Sequence, residues 1–192
     1  MTNTRIDVVD NGGQWTHREW RMLRDLEINT QIIPNTTPVE EITADGLVLS
    51  GGAPRVGSDI PKLGLTGEYL DKLNIPILAI CVGHQFMALH MGGSAEPSKV
   101  PEYGKAELIV TEPDDLFKGL PDKFTIWVSH NDEVTKLPLG FINLARSKDC
   151  AVQAMKHKNR PLYGVQFHPE VEHTEYHYEI FQNFIDVVKG HS

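Results

Sequence analysis

Residues 75–80 read Ile-Pro-Ile-Leu-Ala-Ile, an almost unbroken apolar run that ends on Cys81-Val82-Gly83-His84-Gln85. A run this short and apolar suits a strand covered on both faces, as in a parallel sheet. Outward from it, residues 46–50 (Gly-Leu-Val-Leu-Ser) form a second such run, and residues 5–9 and 30–33 read as two more strands. Helical patterns lie between them. Residues 16–26 carry Trp20, Leu23 and Leu26 at helical spacing, residues 66–73 carry a shorter pattern, and residues 84–91 lead into Gly92-Gly93, a helix stop. This alternation predicts an α/β fold: a three-layer open, mostly parallel sheet with helices on both faces.

The second half reads differently. Residues 105–135 alternate apolar and polar positions between turn formers, which predicts antiparallel ribbons added to the main sheet. Further strands are expected at 141–145, 151–155 and 162–167. A closing helix is expected over 174–188, with Tyr178, Phe181, Phe184, Ile185 and Val188 on one face. No repeat or linker divides the chain, so residues 1–192 are expected to form one domain. The formal charge of -8 argues against nucleic acid as a partner. Two cysteines do not make a disulfide framework and read as reduced thiols of a cytoplasmic protein. The N-terminal stretch lacks the pattern of a signal peptide, and no apolar run approaches the ~18 residues that span a bilayer.

In an open α/β sheet the ligand sits beyond the carboxyl ends of the strands, so residues just after strands carry the chemistry. Cys81 follows one strand and opens a helix, with the small residues Ala79 and Gly83 two places to either side. A nucleophile in such a turn points out of the sheet, and the N–H groups of the new helix favour its thiolate. On spacing alone a buried structural cysteine is an equal reading; Cys150, without such a turn, reads as structural. Far downstream, His168 has the chemistry to move the thiol proton, and Glu170 to orient the imidazole.

The segments then acquire a collective meaning. Pro-Ile-Leu-Ala-Ile-Cys-Val-Gly-His-Gln (76–85) closely resembles the nucleophile elbow of the class I, triad-type glutamine amidotransferases, and Val-Gln-Phe-His-Pro-Glu (165–170) resembles that family's base-and-orienter motif at every position. The resemblance implies a flavodoxin-like fold and a catalytic triad of Cys81, His168 and Glu170. It implies an oxyanion hole from the N–H groups of Gly52, in Ser50-Gly51-Gly52-Ala53-Pro54, and of Val82. It also implies substrate contacts from Gln85 and from Ser129, His130 and Asn131. Two positions depart from the family pattern: Ala79 replaces a glycine, and Ala53 interrupts a glycine-glycine-proline order.

Residues 10–15 (Asp-Asn-Gly-Gly-Gln-Trp), Ile33-Pro34-Asn35, 129–134 and 167–174 further resemble the glutaminase members of the family that serve GMP synthesis. That resemblance implies hydrolysis of glutamine to glutamate and ammonia, with amination of XMP by a separate ATP-pyrophosphatase subunit. The chain has no GxxxxGK[ST] loop, so no cofactor is expected here, and ATP and magnesium are expected on the partner. Arg18, Arg21 and Arg24 read first as a solvated helix face and second as part of the partner interface. His173 and His177, four apart on the expected helix, have zinc-ligand spacing but lack the internal glutamate of H-E-x-x-H, and no metal is expected. Glutaminase subunits serving anthranilate or aminodeoxychorismate synthesis, a free-standing γ-glutamyl hydrolase and a non-catalytic binding module remain open alternatives.

Overall fold

The computed structural model describes residues 3–191; Met1, Thr2 and Ser192, at the ends of the expected domain, lie outside the described residues. The described strands are β1 (Ile6–Asp10), β2 (Ile32–Pro34), β3 (Gly46–Leu49), β4 (Ile77–Ile80), β5 (Ser94–Val110), β6 (Lys123–Lys136), β7 (Phe141–Arg146), β8 (Ala154–His157) and β9 (Leu162–Val165). The α-helices are α1 (Thr16–Asp25), α2 (Thr66–Lys72), α3 (Val82–His90) and α4 (His177–His191). The nine described strands join one sheet in the order β2-β1-β3-β4-β9-β8-β7-β5-β6. The first five in that order run parallel, and the rest pair antiparallel. Ignoring the inserted ribbons, the parallel part has the doubly wound order 2-1-3-4-5 of flavodoxin-like folds.

The uninterrupted apolar runs follow from this position. Every residue of β3, β4 and β9 is buried, and successive side chains enter opposite cores. Val48, Leu78, Ile80 and Val165 pack with Leu23 of α1 and Phe181 and Phe184 of α4. Leu47, Leu49, Ile77, Ala79 and Leu162 pack with Leu70 of α2 and Met87 of α3. No helix among the described residues is long and apolar enough to cross a membrane.

Three expected boundaries move. The ribbon starts at Ser94 instead of 105, because a shift of the β5–β6 register between Pro97 and Glu102 accommodates Pro97 and Pro101 within the strand. The strand expected at 151–155 begins only at Ala154. Ahead of it the Asn143 side chain donates to the Ala151 carbonyl at 2.6 Å, taking the place of a ladder bond beside a bulge in β7. The closing helix starts at His177, since Thr174 is held by the His168 carbonyl at 2.7 Å and Tyr176 has a left-handed φ of 58°. Tyr178 consequently leaves the apolar face and is 45% exposed. Arg18, Arg21 and Arg24 lie on the exposed side of α1, with Arg24 over the Trp20 ring at 4.8 Å.

Phe184 is fully buried and meets Tyr163 edge-on at 6.4 Å. Phe184→Ala is expected to lower the unfolding free energy by about 3–5 kcal/mol, and Tyr178→Ala to change it by less than about 0.5 kcal/mol, both read from denaturant titrations.

Candidate active site

Cys81 is the residue between β4 and α3, with φ 52° and ψ -107°. A left-handed φ in a residue with a side chain costs roughly 1–3 kcal/mol and persists only where the surroundings impose it. Here they do. The Cys81 N–H donates to the Val165 carbonyl of β9 at 2.8 Å, and its own carbonyl accepts the Gln85 N–H at 3.0 Å. A Cβ on Gly83 would lie 2.9 Å from the Leu49 carbonyl oxygen, so only glycine lets α3 start this close to β3. Ala79 is fully buried on the strand side of the turn. The elbow read from the sequence is therefore present, with alanine filling the position before the cysteine.

The chain brings His168 and Glu170 to this turn. His168 Nδ1 is 2.6 Å from Glu170 Oε1, which leaves Nε2 free to face the cavity that His168 and Cys81 both line. Burial alone would push His168 below its ordinary value. The Glu170 carboxylate and the Cys81 sulfur outweigh burial and hold it well above. The Trp15 ring meets His168 edge-on at 4.6 Å. His84 has no such role: burial pushes it down to about 3, and its Nε2 faces the Val152 carbonyl at 3.2 Å.

The sulfur has two further neighbours. Gln166 Nε2 donates to Cys81 Sγ at 3.7 Å, and Sγ lies 3.8 Å from the Ser129 carbonyl. Gln166 was not a candidate from the sequence, although it stands inside the Val-Gln-Phe-His-Pro-Glu segment; a glutamine at a strand end carries no signal of its own.

Two loops close the site. A Cβ on Gly52 would fall 2.2 Å from the Asn11 carbonyl oxygen, and one on Gly13 2.4 Å from that of Gly51. The loops after β1 and β3 thus pack backbone on backbone, stitched by Asn11 N–H to Ser50 Oγ at 2.9 Å. A Cβ on Gly51 would reach His168 Cε1 at 3.3 Å and Cys81 Cβ at 3.5 Å, which places this loop directly beside both residues. As the first residue of α3, Val82 has an N–H with no acceptor within its helix. A cavity of about 230 Å³ opens here, lined by Trp15, Glu19, Gly52, Cys81, Ser129 and His168 among others. It lies at the carboxyl ends of β1, β3, β4 and β9, beside the β1/β3 switch point, where doubly wound sheets hold ligands. Below the ~300 Å³ of sites for larger organic ligands, it suits a small one.

Fold and site together define the class. A family model described as glutamine amidotransferase class-I matches residues 7–188, and the chain belongs to that family. Within it, the chain is 53% identical over 184 residues to a Thermoplasma acidophilum protein named as a subunit of glutamine-hydrolyzing GMP synthase, covering 95% of this chain and 92% of that one. It is 47% identical over 190 residues to the protein of the same name from Methanosarcina barkeri, covering 97% and 98%. A crystal structure of a Thermoplasma acidophilum protein, described as a GMP synthase subunit, superposes with a TM-score of 0.94 at 51% identity, covering 99% of this chain and 96% of that one. A Thermotoga maritima glutamine amidotransferase shares the fold, with a TM-score of 0.75 at 22% identity, covering 99% and 84%.

The four expected substrate contacts have different surroundings. Gln85, His130 and Asn131 do not line the cavity, whereas Ser129 does. The Gln85 amide nitrogen donates to the Asp132 carbonyl at 2.7 Å and to Gln166 Oε1 at 3.1 Å, so both its hydrogens are spent inside the protein. Asn131 is exposed. The buried His130 ring has Nδ1 2.9 Å from the Asp132 carbonyl and Nε2 2.8 Å from Glu102 Oε2. Glu102 also accepts from Ser147 at 2.6 Å and from Gln153 at 2.8 Å.

Cys150 lies close enough to complete a Glu102, His130 and Cys150 ligand group, with atoms within 4.8 Å of one another. Both carboxylate oxygens already have protein donors, however, and burial pushes the Cys150 thiol far above its ordinary value. The cluster reads as a hydrogen-bonded brace beneath residues 129–132. His173 and His177, the other histidine pair with ligand spacing, are occupied separately: His173 lies against Trp127 at 4.9 Å, and His177 Nδ1 is 3.0 Å from the Thr174 carbonyl. His173 also precedes α4, so the two do not share a helix.

Burial raises the Glu102 carboxyl, but its bonds from His130 and Ser147 outweigh this and hold it below 4.5 in the folded protein. Its ionisation therefore stabilises the fold above pH 4.5, and that contribution is lost as pH falls through the lower folded-state value. Glu102→Gln is expected to cost roughly 1–3 kcal/mol at neutral pH, the scale of charge-assisted hydrogen bonds lost in the interior. It should also flatten the acid-side fall in stability, measured by denaturant unfolding at a series of pH values.

Proposed function

We propose that this chain is the glutamine-hydrolysing subunit of a two-subunit GMP synthetase, releasing ammonia from glutamine through Cys81, His168 and Glu170. The observation that carries the reading is a cysteine of left-handed φ between strand and helix that shares one cavity with a histidine whose Nδ1 is held by Glu170 at 2.6 Å. The choice of acceptor rests on the relatives named as GMP synthase subunits, which match nearly end to end.

The reaction needs nothing the residues cannot supply. His168 Nε2 holds the Cys81 proton, and the thiolate, steadied by Gln166, attacks the side-chain amide carbon of glutamine. The resulting oxyanion is held by the N–H groups of Gly52 and Val82, pre-aimed donors of the kind that lower such barriers most. The imidazolium passes its proton to the departing nitrogen, and ammonia leaves behind a glutamyl thioester. A water then gives its proton to His168 Nε2 and attacks the thioester, and glutamate and the thiolate are released. Glu170 keeps Nδ1 protonated and the ring in register throughout. Ammonia passes to a separate subunit that binds ATP, magnesium and XMP and forms GMP.

In the reconstituted complex, Cys81→Ala is expected to lower glutamine-driven GMP formation by about 10⁴-fold or more and to leave ammonia-driven formation intact. Retained glutamine turnover would remove Cys81 from the mechanism. Ammonia use with chorismate, and none with XMP and ATP, would move the chain to another branch of the family.

A further inference from the structure

Glu19 occupies the first turn of α1, a place where a glutamate ordinarily faces solvent, yet it is 1% exposed and lines the active-site cavity. Its Oε1 accepts a long bond, 3.4 Å, from the N–H of Gly51 in the oxyanion loop. Its Oε2 is buried with no hydrogen-bond partner among the described residues, and the same holds for Oε2 of Glu170. Two buried carboxyls thus share one wall, and no lysine or arginine among the described residues lines the cavity. The groups acting on Glu19 are Glu170 and His168 beyond β9, Cys81 at the end of β4 and the Gly51 amide. Glu170 Oε1 is held by His168 Nδ1 at 2.6 Å. An ionised Glu19 would set a second carboxylate beside Glu170 and the Cys81 sulfur, with a single imidazole among them. Like charges confined in this way cannot all ionise.

We infer that Glu19 is a positioning residue beside the catalytic centre, which sets the oxyanion loop against the triad through Gly51. The inference rests on the triad assignment proposed above. Burial, and then the charge of Glu170, push the Glu19 carboxyl well above its ordinary range. Neutral Glu19 can tether Gly51 without making the His168 imidazolium too weak an acid for the departing nitrogen. Once ionised, it adds a negative charge that holds the proton on His168, and turnover falls.

The test uses the reconstituted complex with glutamine, ATP and XMP, and three variants. Glu19→Gln keeps the acceptor and the neutrality, so it should recover most of the kcat that Glu19→Leu loses, and the alkaline limb of its pH profile should move because one ionising group is gone. Glu19→Leu removes the acceptor for Gly51, and kcat should fall about tenfold with KM for glutamine little changed, the scale of one misaligned oxyanion donor. Infrared spectra at neutral pH should show a protonated-carboxyl band in wild type and in Cys81→Ala that is missing in Glu19→Gln. That band is independent of turnover: Cys81→Ala remaining active would end the triad reading, and the band reports on Glu19 alone. Absence of the band, an inactive but folded Glu19→Gln, or superimposable alkaline limbs would each overturn the inference. If Glu19→Leu does not fold, Glu19→Gln and the spectra decide it.

Discussion

The contact between Gly83 and the carbonyl of Leu49 sets the geometry on which the site depends. Without space for a side chain there, α3 begins against β3 and the chain has a single residue in which to turn. That residue is Cys81, and its left-handed backbone is the consequence. The strain is sustained by bonds from β9 on one side and from the first turn of α3 on the other. The same turn aims the sulfur out of the sheet and presents the free amide of Val82 next to it. The direction of the Cys81 sulfur and the placement of the Val82 amide therefore follow from one close approach, and both would be lost together if it were relaxed.

A second support comes from the ribbon side. Residues 129–132 pass beneath the sulfur and are fixed by side chains from three elements. Gln85 of α3 and His130 of β6 both donate to the Asp132 carbonyl, and Arg55 grips the Asp132 carboxylate at 2.7 and 3.1 Å. Because Arg55 follows the oxyanion loop, that ion pair joins the two walls of the cavity. It is half exposed and contributes alignment more than stability. The buried pair of His130 and Glu102 has the opposite balance, since breaking one member leaves a charge stranded in the core.

Much of this was legible in the residues. Uniformly apolar runs identified the parallel strands because burial on both faces leaves no polar period to read. The cysteine turn and the histidine–glutamate segment were local patterns, and local patterns survive in one dimension. What escaped was whatever depends on neighbours distant in the chain. Pro97 and Pro101 read as interruptions, yet a bulged register absorbs them within β5. Gln85, His130 and Asn131 are polar residues in site-forming segments, but direction decides their use, and Gln85 and His130 point into the protein. Glu19 sits on the stripe shared with Thr16, Met22 and Leu23, so its helical spacing placed it inward. Its type suggested the surface instead, and only the second carboxyl across the cavity explains why a glutamate is accommodated there.

The pairing of β4 with β9 has a further consequence, for synthesis. Cys81 is bonded to Val165, Gln166 lies against its sulfur, and His168 follows immediately, so apart from the Ser129 carbonyl the surroundings of the thiol come from the last stretch of sheet to leave the ribosome. Contacts this distant in sequence are made late, after the intervening ribbons have closed. A nascent or half-folded chain therefore carries a sulfur with no base beside it, and an ordinary thiol is what the cell encounters until the final strand docks. Reactivity arrives together with completion of the sheet, which spares an unfinished chain the side reactions of an activated cysteine.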